Sequence, residues 1–207
     1  MAQAVRLVLV RHGQTAWNAQ RRLQGHQDIA LDATGQWQAQ RLALALSDEG
    51  IQHLYSSDSQ RAQATLAPLA QRLGLTLGLE PGLRERSFGQ LEGLNFDEIE
   101  ARFPEAARQR RQREPEAQPG GGESLLAFES RCLGALHALL ARHPGEVVAV
   151  ASHGGVLDCV YRAALGLALQ APRTWSLDNA TVNRLLWTPD AFALVGWNDS
   201  THLDRTA

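Results

Sequence analysis

A three-layer α/β/α sandwich with a mainly parallel central sheet is the fold the sequence predicts, and three observations carry it. Val5 to Val10 is a run of six residues, five of them Val or Leu, without the polar spacing of a helix. Such a run suits a central strand buried on both faces. Val147 to Ser152 repeats the pattern far along the chain. Between and after these runs, strand-like segments alternate with segments of helical spacing, the pattern of parallel strands joined by crossover helices. The first run ends in Arg11-His12-Gly13 and the second in His153-Gly154-Gly155. Ligands of open α/β sheets bind beyond the carboxyl ends of strands. One sheet edge is therefore expected to receive two histidines and an arginine.

The remaining elements come in chain order. Gln14 to Asp32 is polar, rich in Gln and Arg around Trp17, and reads as a loop or short helix beside that edge. Gly35 to Leu46 has helical spacing of Trp37, Leu42 and Leu46, with Gly50 as a stop. Ile51 to Tyr55 reads as a second strand. Ser56-Ser57-Asp58 offers N-caps for a helix reaching Leu73, kinked at Pro68, with Arg61 in its first turn. Leu75 to Leu79 is a third strand candidate, and Leu83 to Gly89 has no periodicity. Asn95 can cap a short helix that Pro104 divides. Arg108 to Arg113, with Glu114 and Glu116, reads as a charged, solvated segment without chemistry, closed by Pro119-Gly120-Gly121-Gly122. Glu123 to Arg142 traces an amphipathic helix through Leu125, Cys132, Leu136 and Leu139, with His137 and His143 as surface or terminal groups. Gly154 to Leu165 is a further helix. Thr181 to Trp187 and Phe192 to Trp197 form a hairpin turned at Pro189-Asp190, followed by a loosely held polar tail.

Composition bounds the function. At 207 residues, 44% hydrophobic and 20% charged, with a net charge of −2 and a pI near 6.4, the chain reads as one soluble domain spanning 1–207. Nothing marks a nucleic-acid partner, and no apolar run approaches the roughly 18 residues of a membrane span. All 20 basic residues are arginine. The absence of lysine excludes a P-loop, a Schiff-base lysine and pyridoxal chemistry. With the many alanines and very few isoleucines it also suggests a host with GC-rich codons, and a bacterial source is expected. Cys132 and Cys159 form neither a C-x-x-C pair nor a disulfide framework, which places the chain in a reducing compartment, the cytoplasm.

For His12 and His153 three readings stand. A hydrogen-bonded core imidazole is the ordinary fate of a lone histidine. A metal site lacks ligands among the neighbours Arg11, Gly13, Gly154 and Gly155, and a fixed guanidinium repels a cation. An anion site fits best: Arg11 and Arg61 offer forked donors, and helix amino termini at Gly154 and Ser57 offer N–H groups. A phosphoryl group is the expected occupant.

Four stretches, Arg11-His12-Gly13-Gln14-Thr15-Ala16-Trp17-Asn18, Ser57-Asp58-Ser59-Gln60-Arg61-Ala62, Leu83-Arg84-Glu85 and Ser152-His153-Gly154-Gly155, together resemble the histidine phosphatase superfamily, the phosphoglycerate-mutase-like fold. The likeness extends through Leu23-Gln24-Gly25, Leu31, Gly35 and Phe88 to Gly93, in the family's order, and falls on its broad-specificity phosphatase branch. It implies that His12 becomes a phosphohistidine, that Arg11, Arg61 and His153 surround the phosphate, and that Glu85 protonates the departing alkoxide and then deprotonates water. Unaided, the residues do not single out Glu85 over Glu80 or Glu92, and Arg84-Glu85-Arg86 reads as a solvated charge cluster. The resemblance further implies that Asn18, Gln24, Gly25, Ser87 and Phe88 line the substrate side, with Gly154 beside them. Ala64, where many relatives carry Gln or Glu, and His26 depart from the pattern.

The function so implied is a metal-independent phosphomonoesterase hydrolysing small phosphorylated metabolites through phosphohistidine, without a cofactor. The alternative is a phosphoglycerate mutase, which needs 2,3-bisphosphoglycerate. A catalytically silent phosphate-binding protein is the third reading, and the joint presence of Arg11, His12, Arg61, Glu85 and His153 speaks against it. Mutases of the family use longer segments around the site, so the resemblance, with the comparatively short stretch from Glu85 to His153 and its flexible Pro119 to Gly122 loop, implies a pocket open to water and hydrolysis ahead of isomerisation. No oligomeric state is read from the sequence.

Overall fold

Alternate residues of β1 (Val5–Arg11) enter two different cores, because successive side chains of a strand point to opposite faces. Val5, Leu7 and Leu9 pack with one set of helices and Val8 and Val10 with another. The computed structural model, which describes residues 3–204, orders the rest as α1 (Ala16–Ala19), α2 (Ala33–Ala45), β2 (His53–Ser56), α3 (Gln60–Leu73), β3 (Leu77–Leu79), α4 (Phe96–Arg102), α5 (Pro104–Arg111), α6 (Leu125–Leu140), β4 (Val147–Ser152), α7 (Gly154–Leu165), β5 (Val182–Thr188) and β6 (Ala191–Asp199). The six strands form one sheet in the order β3-β2-β4-β1-β5-β6. The first four are parallel, and the β5–β6 hairpin closes the edge antiparallel. Helices α6 and α7 cover one face and α2 and α3 the other, the expected three-layer arrangement.

Register is what brings the two histidines together. β1 and β4 pair with Arg11 opposite Ser152, and the His12 N–H donates to the Ser152 carbonyl at 2.9 Å. His12 and His153, the next residue of each strand, then leave the sheet side by side. Their ring centroids are 5.3 Å apart.

A third, smaller core lies over this edge. Leu91, Ile99 and Ala107, joined by Leu23, Phe88, Leu94 and Phe103, hold α4 and α5 together as a cap. Asn95 caps α4 through a reciprocal box with Glu98, and α5 starts on Pro104, as the sequence predicts.

Several expectations are corrected. The cap of α3 is Ser59 and not Ser56 to Asp58, and the Ser57 N–H is spent on the Ala151 carbonyl, so that amide is not free for an anion. Asp32 caps α2, which starts two residues before Gly35. The third strand is confined to three residues. The Pro119 to Gly122 loop is closely packed at three of its four residues: Pro119 is buried, and a Cβ on Gly120 or Gly122 would lie 2.8 Å from the Phe88 carbonyl oxygen or 2.2 Å from that of Ser87. Those glycines permit close backbone approach. The tail as far as Asp204 is anchored, since Arg41 donates to the His202 carbonyl at 2.8 Å and the His202 ring lies 3.0 Å from the Ala180 carbonyl; its last residues, 205–207, fall outside those described. Of the two histidines read as surface or terminal groups, His137 is in the last turn of α6, as expected, where it accepts from Trp187, whereas His143, just past the end of that helix, is buried. Cys132 and Cys159, remote in sequence, meet as free buried thiols where α6 packs on α7, and that contact and burial push the Cys159 thiol up. Among the described residues no helix is long and apolar enough to cross a membrane.

Candidate active site

The carboxyl edge of the sheet opens into a cavity of about 350 Å³, within the range of small-ligand pockets. At its floor lies His12. Its Nδ1 is 2.8 Å from the Gly13 carbonyl oxygen. A carbonyl only accepts, so Nδ1 carries the proton and Nε2 keeps the lone pair. Burial, and then the charges of Arg61 and Arg11, hold the imidazole pKa well below its ordinary value. A neutral ring with an available Nε2 is the form that can attack phosphorus.

The cations around it are fixed by main-chain oxygens. Arg61, fully buried at the start of α3, donates to the Gly25 and Gln27 carbonyls at 2.9 and 2.7 Å. Arg11 donates to the Leu177 carbonyl. Among the described residues neither guanidinium has a direct carboxylate partner, and the Nε of each is buried without an acceptor. Burial lowers both pKa values from their ordinary level, with Glu85 opposing it. His153, wholly buried, has Nε2 2.7 Å from the Ser57 hydroxyl and a buried Nδ1 with no partner. Burial and the nearby Arg61 hold it neutral as well. Unmatched donors around a buried imidazole describe a preorganised anion site.

Glu85 faces inward, contrary to the solvated-cluster reading; of its triplet only Arg84 is exposed, paired with Asp58. Its carboxylate accepts from the Arg86 N–H at 2.8 Å and from the Gly155 N–H, at the start of α7, at 3.1 Å. A Cβ on Gly155 would lie 2.1 Å from the Glu85 carboxylate, so glycine is required there for the acid to reach the helix end.

Of the other expected residues, Asn18, Gln24, Gly25, Phe88 and Gly154 line the cavity. Asn18 is oriented by the Thr15 capping box and by the Asn179 amide. Gln24 presents a buried Oε1 without a partner. Gly25 holds φ +52°, its carbonyl binding Arg61. Ser87 does not line the cavity; its N–H donates to Glu123 at 2.9 Å and fastens the cap. His153 opens on an adjoining recess shared with Arg61 and Glu85.

Sequence reasoning missed the far wall. The cavity is lined by seven arginines against three carboxylates, Glu85, Glu114 and Asp158. Arg108 and Arg111 behave as expected, half-buried and exposed respectively and each paired with glutamate. Arg110 and Arg113 do not. Arg113 reaches Asp158 at 2.8 Å. Arg110 rests on the rings of Phe88 and Phe96, 5.1 and 5.6 Å from their centroids, with Nη1 buried and unpartnered. Burial, and then repulsion from Arg86, push its pKa down to about 10. The cavity thus has two cationic poles, one at His12 and one at Arg110.

The profile of the histidine phosphatase superfamily (branch 1) matches residues 7–200. The chain belongs to that superfamily. It is 39% identical over 204 residues to phosphoglycerate mutase-like protein 4 of Arabidopsis thaliana, covering 97% of this chain and 87% of the relative. It is 35% identical over 208 residues to "Probable phosphoglycerate mutase GpmB" of Cronobacter sakazakii, covering 98% and 97%. Among solved structures, YhfR of Bacillus stearothermophilus superposes with a TM-score of 0.90 at 30% identity, over 97% of this chain and all of that one. A mycobacterial glucosyl-3-phosphoglycerate phosphatase complexed with VO3 gives 0.83 at 31% identity, over 94% and 99%. Superfamily members of these two kinds are phosphatases or mutases, and the chain is an enzyme of that phosphoryl-transfer type.

Proposed function

We propose that the protein is a metal-independent phosphomonoesterase that hydrolyses small phosphorylated metabolites through a phosphohistidine on His12. The observation that supports this most is the His12 tautomer, fixed by the Gly13 carbonyl beside two arginines that have no carboxylate partner. In the first step His12 Nε2 forms a bond to phosphorus while the ester P–O bond breaks. Glu85 gives its proton to the departing alkoxide, and Arg11, Arg61 and His153 take the charge on the equatorial oxygens. In the second step Glu85 removes a proton from water, whose oxygen attacks phosphorus and frees His12. Arginines supply the positive charge that a divalent ion supplies elsewhere, and a cation between Arg11 and Arg61 would be repelled. No cofactor enters, and the partner is the phosphorylated metabolite alone. A cytoplasmic setting is proposed with it, since the free thiols call for a reducing compartment.

Arg110 extends the reading to the substrate class. A desolvated guanidinium without an anion is costly, so the preferred metabolite carries a second negative group, a carboxylate or another phosphate, at that pole. The same pole favours a second reading, phosphoglycerate mutase primed by 2,3-bisphosphoglycerate, which several relatives' names share.

The test is release of inorganic phosphate from a panel of phosphate esters in excess chelator. Turnover of carboxylated esters ahead of neutral ones supports the proposal, and strict dependence on a divalent ion overturns it. Supplying 3-phosphoglycerate with catalytic 2,3-bisphosphoglycerate separates the two readings: isomerisation at about 10 s⁻¹ or more with little free phosphate makes the mutase reading the right one.

A further inference from the structure

We propose that His53, His143 and Glu146 form a binding site for a transition-metal ion of zinc type, at the end of the sheet remote from the phosphate cavity. The sequence His143-Pro144-Gly145-Glu146 is a tight turn in which the Glu146 N–H donates to the His143 carbonyl at 3.1 Å and Gly145 holds φ +81°. Pro followed by a left-handed Gly is the signature of a type II turn, which brings its first and fourth residues together. Here those residues are an imidazole and a carboxylate. The third ligand, His53, opens β2, whose parallel pairing sets it opposite Val148, beside the turn.

The ligand atoms converge. Glu146 Oε2 lies 2.9 Å from His53 Nε2 and 2.9 Å from His143 Nδ1, all three atoms lie within 4.8 Å of one another, and the imidazole centroids are 4.0 Å apart. Tetrahedral zinc with bonds of about 2.0–2.2 Å needs separations of roughly 3.3 Å, an opening of a few tenths of an ångström. A second layer is already present: Tyr55 Oη is 3.0 Å from His143 Nε2, where it can accept the N–H that remains when Nδ1 binds a metal. His53 and Glu146 are 35% and 36% exposed, so an ion can enter and water can fill the fourth position. Two imidazoles and one carboxylate suit zinc, nickel or copper better than magnesium or calcium.

None of the three residues lines the phosphate cavity, and the length of β4, at about 3.3 Å per residue, puts roughly 20 Å between Glu146 and His153. The bound ion would tie the start of β2 to the turn before β4 and leave the phosphoryl chemistry alone.

The test uses the full chain with zinc chloride and, as a spectroscopic probe, cobalt chloride. At zinc about 100-fold above its Kd the melting temperature should rise by roughly 5–10 °C, and cobalt should show the visible absorption of four-coordinate nitrogen and oxygen ligation. His53→Gln and Glu146→Gln, at half-exposed positions, should each weaken binding by at least about 10-fold and remove the band. A melting temperature unmoved by zinc, or an equal rise and an unchanged cobalt band in both variants, overturns the site.

Discussion

The two poles of the cavity are built from the same residue type by different means. At the His12 pole, Arg11 and Arg61 stand at a strand end and a helix start, clamped by main-chain carbonyls of Leu177, Gly25 and Gln27. At the far pole, Arg110 lies on a short cap helix and rests on the faces of Phe88 and Phe96, with no side-chain hydrogen bond among the described residues. Backbone clamps leave a guanidinium little freedom, whereas ring stacking fixes a plane and leaves the fork to adapt. The first arrangement suits a transition state that must be met without reorganisation, the second a recognition group that differs between substrates. On the proposed mechanism, the backbone-clamped arginines serve the chemistry and the ring-held Arg110 serves selectivity.

Damage to the first pole should cost most. Glu85→Gln removes the proton for the leaving group, so the phosphorylation step on alkyl phosphates should fall by about 10² to 10⁴-fold. Nitrophenyl phosphate, whose leaving group needs no proton, should lose far less. Gly155→Ala should imitate this pattern, because its methyl group occupies the place of the Glu85 carboxylate. Equal losses on both esters in single-turnover measurements would remove the acid role.

Damage to the second pole should cost less and discriminate more. Arg110→Gln should raise KM about 10 to 100-fold for esters bearing a carboxylate or a second phosphate, the worth of a charge-assisted hydrogen bond. Neutral alkyl phosphates should be unaffected. A drop in kcat shared by all esters would instead place Arg110 with the chemistry.

Legibility in the sequence divides along the same line. The His12 pole can be read because a strand buried on both faces declares itself in an unbroken apolar run, and the end of that run sets Arg11, His12 and Gly13 at the sheet edge. The family blocks then add Glu85, which no periodicity marks. The far pole cannot be read. Arg108, Arg110, Arg111 and Arg113 are alike in sequence, and α5 has a single buried residue, Ala107, to say which side faces in. What turns Arg110 inward is a pair of rings, Phe88 and Phe96, contributed by other segments. Ser57 misleads for a related reason: as an N-cap it has a local role, and its actual partner, His153, is 96 residues away.

The smallest expected effect concerns stability. Burial keeps His12 and His153 neutral in the folded chain, with pKa values well below those of the unfolded chain. Below about pH 6.5 the unfolded chain binds protons that the folded chain refuses, so stability should fall on acidification from there, by up to about 1.4 kcal/mol per pH unit for each histidine, and be flat above neutrality. Denaturant midpoints between pH 5 and 8 measure this, and His12→Asn should flatten part of the slope. A slope unchanged in that variant would mean that His12 is charged in the folded protein.

Everything proposed for the first pole depends on His12 being the nucleophile. Rapid quenching of the enzyme with phosphorus-labelled substrate in excess chelator addresses this without intermediaries. An acid-labile, base-stable label is expected, up to one per chain, that maps to the peptide containing His12 and is absent from His12→Ala. A label that persists in His12→Ala, or that maps to another residue, would contradict it.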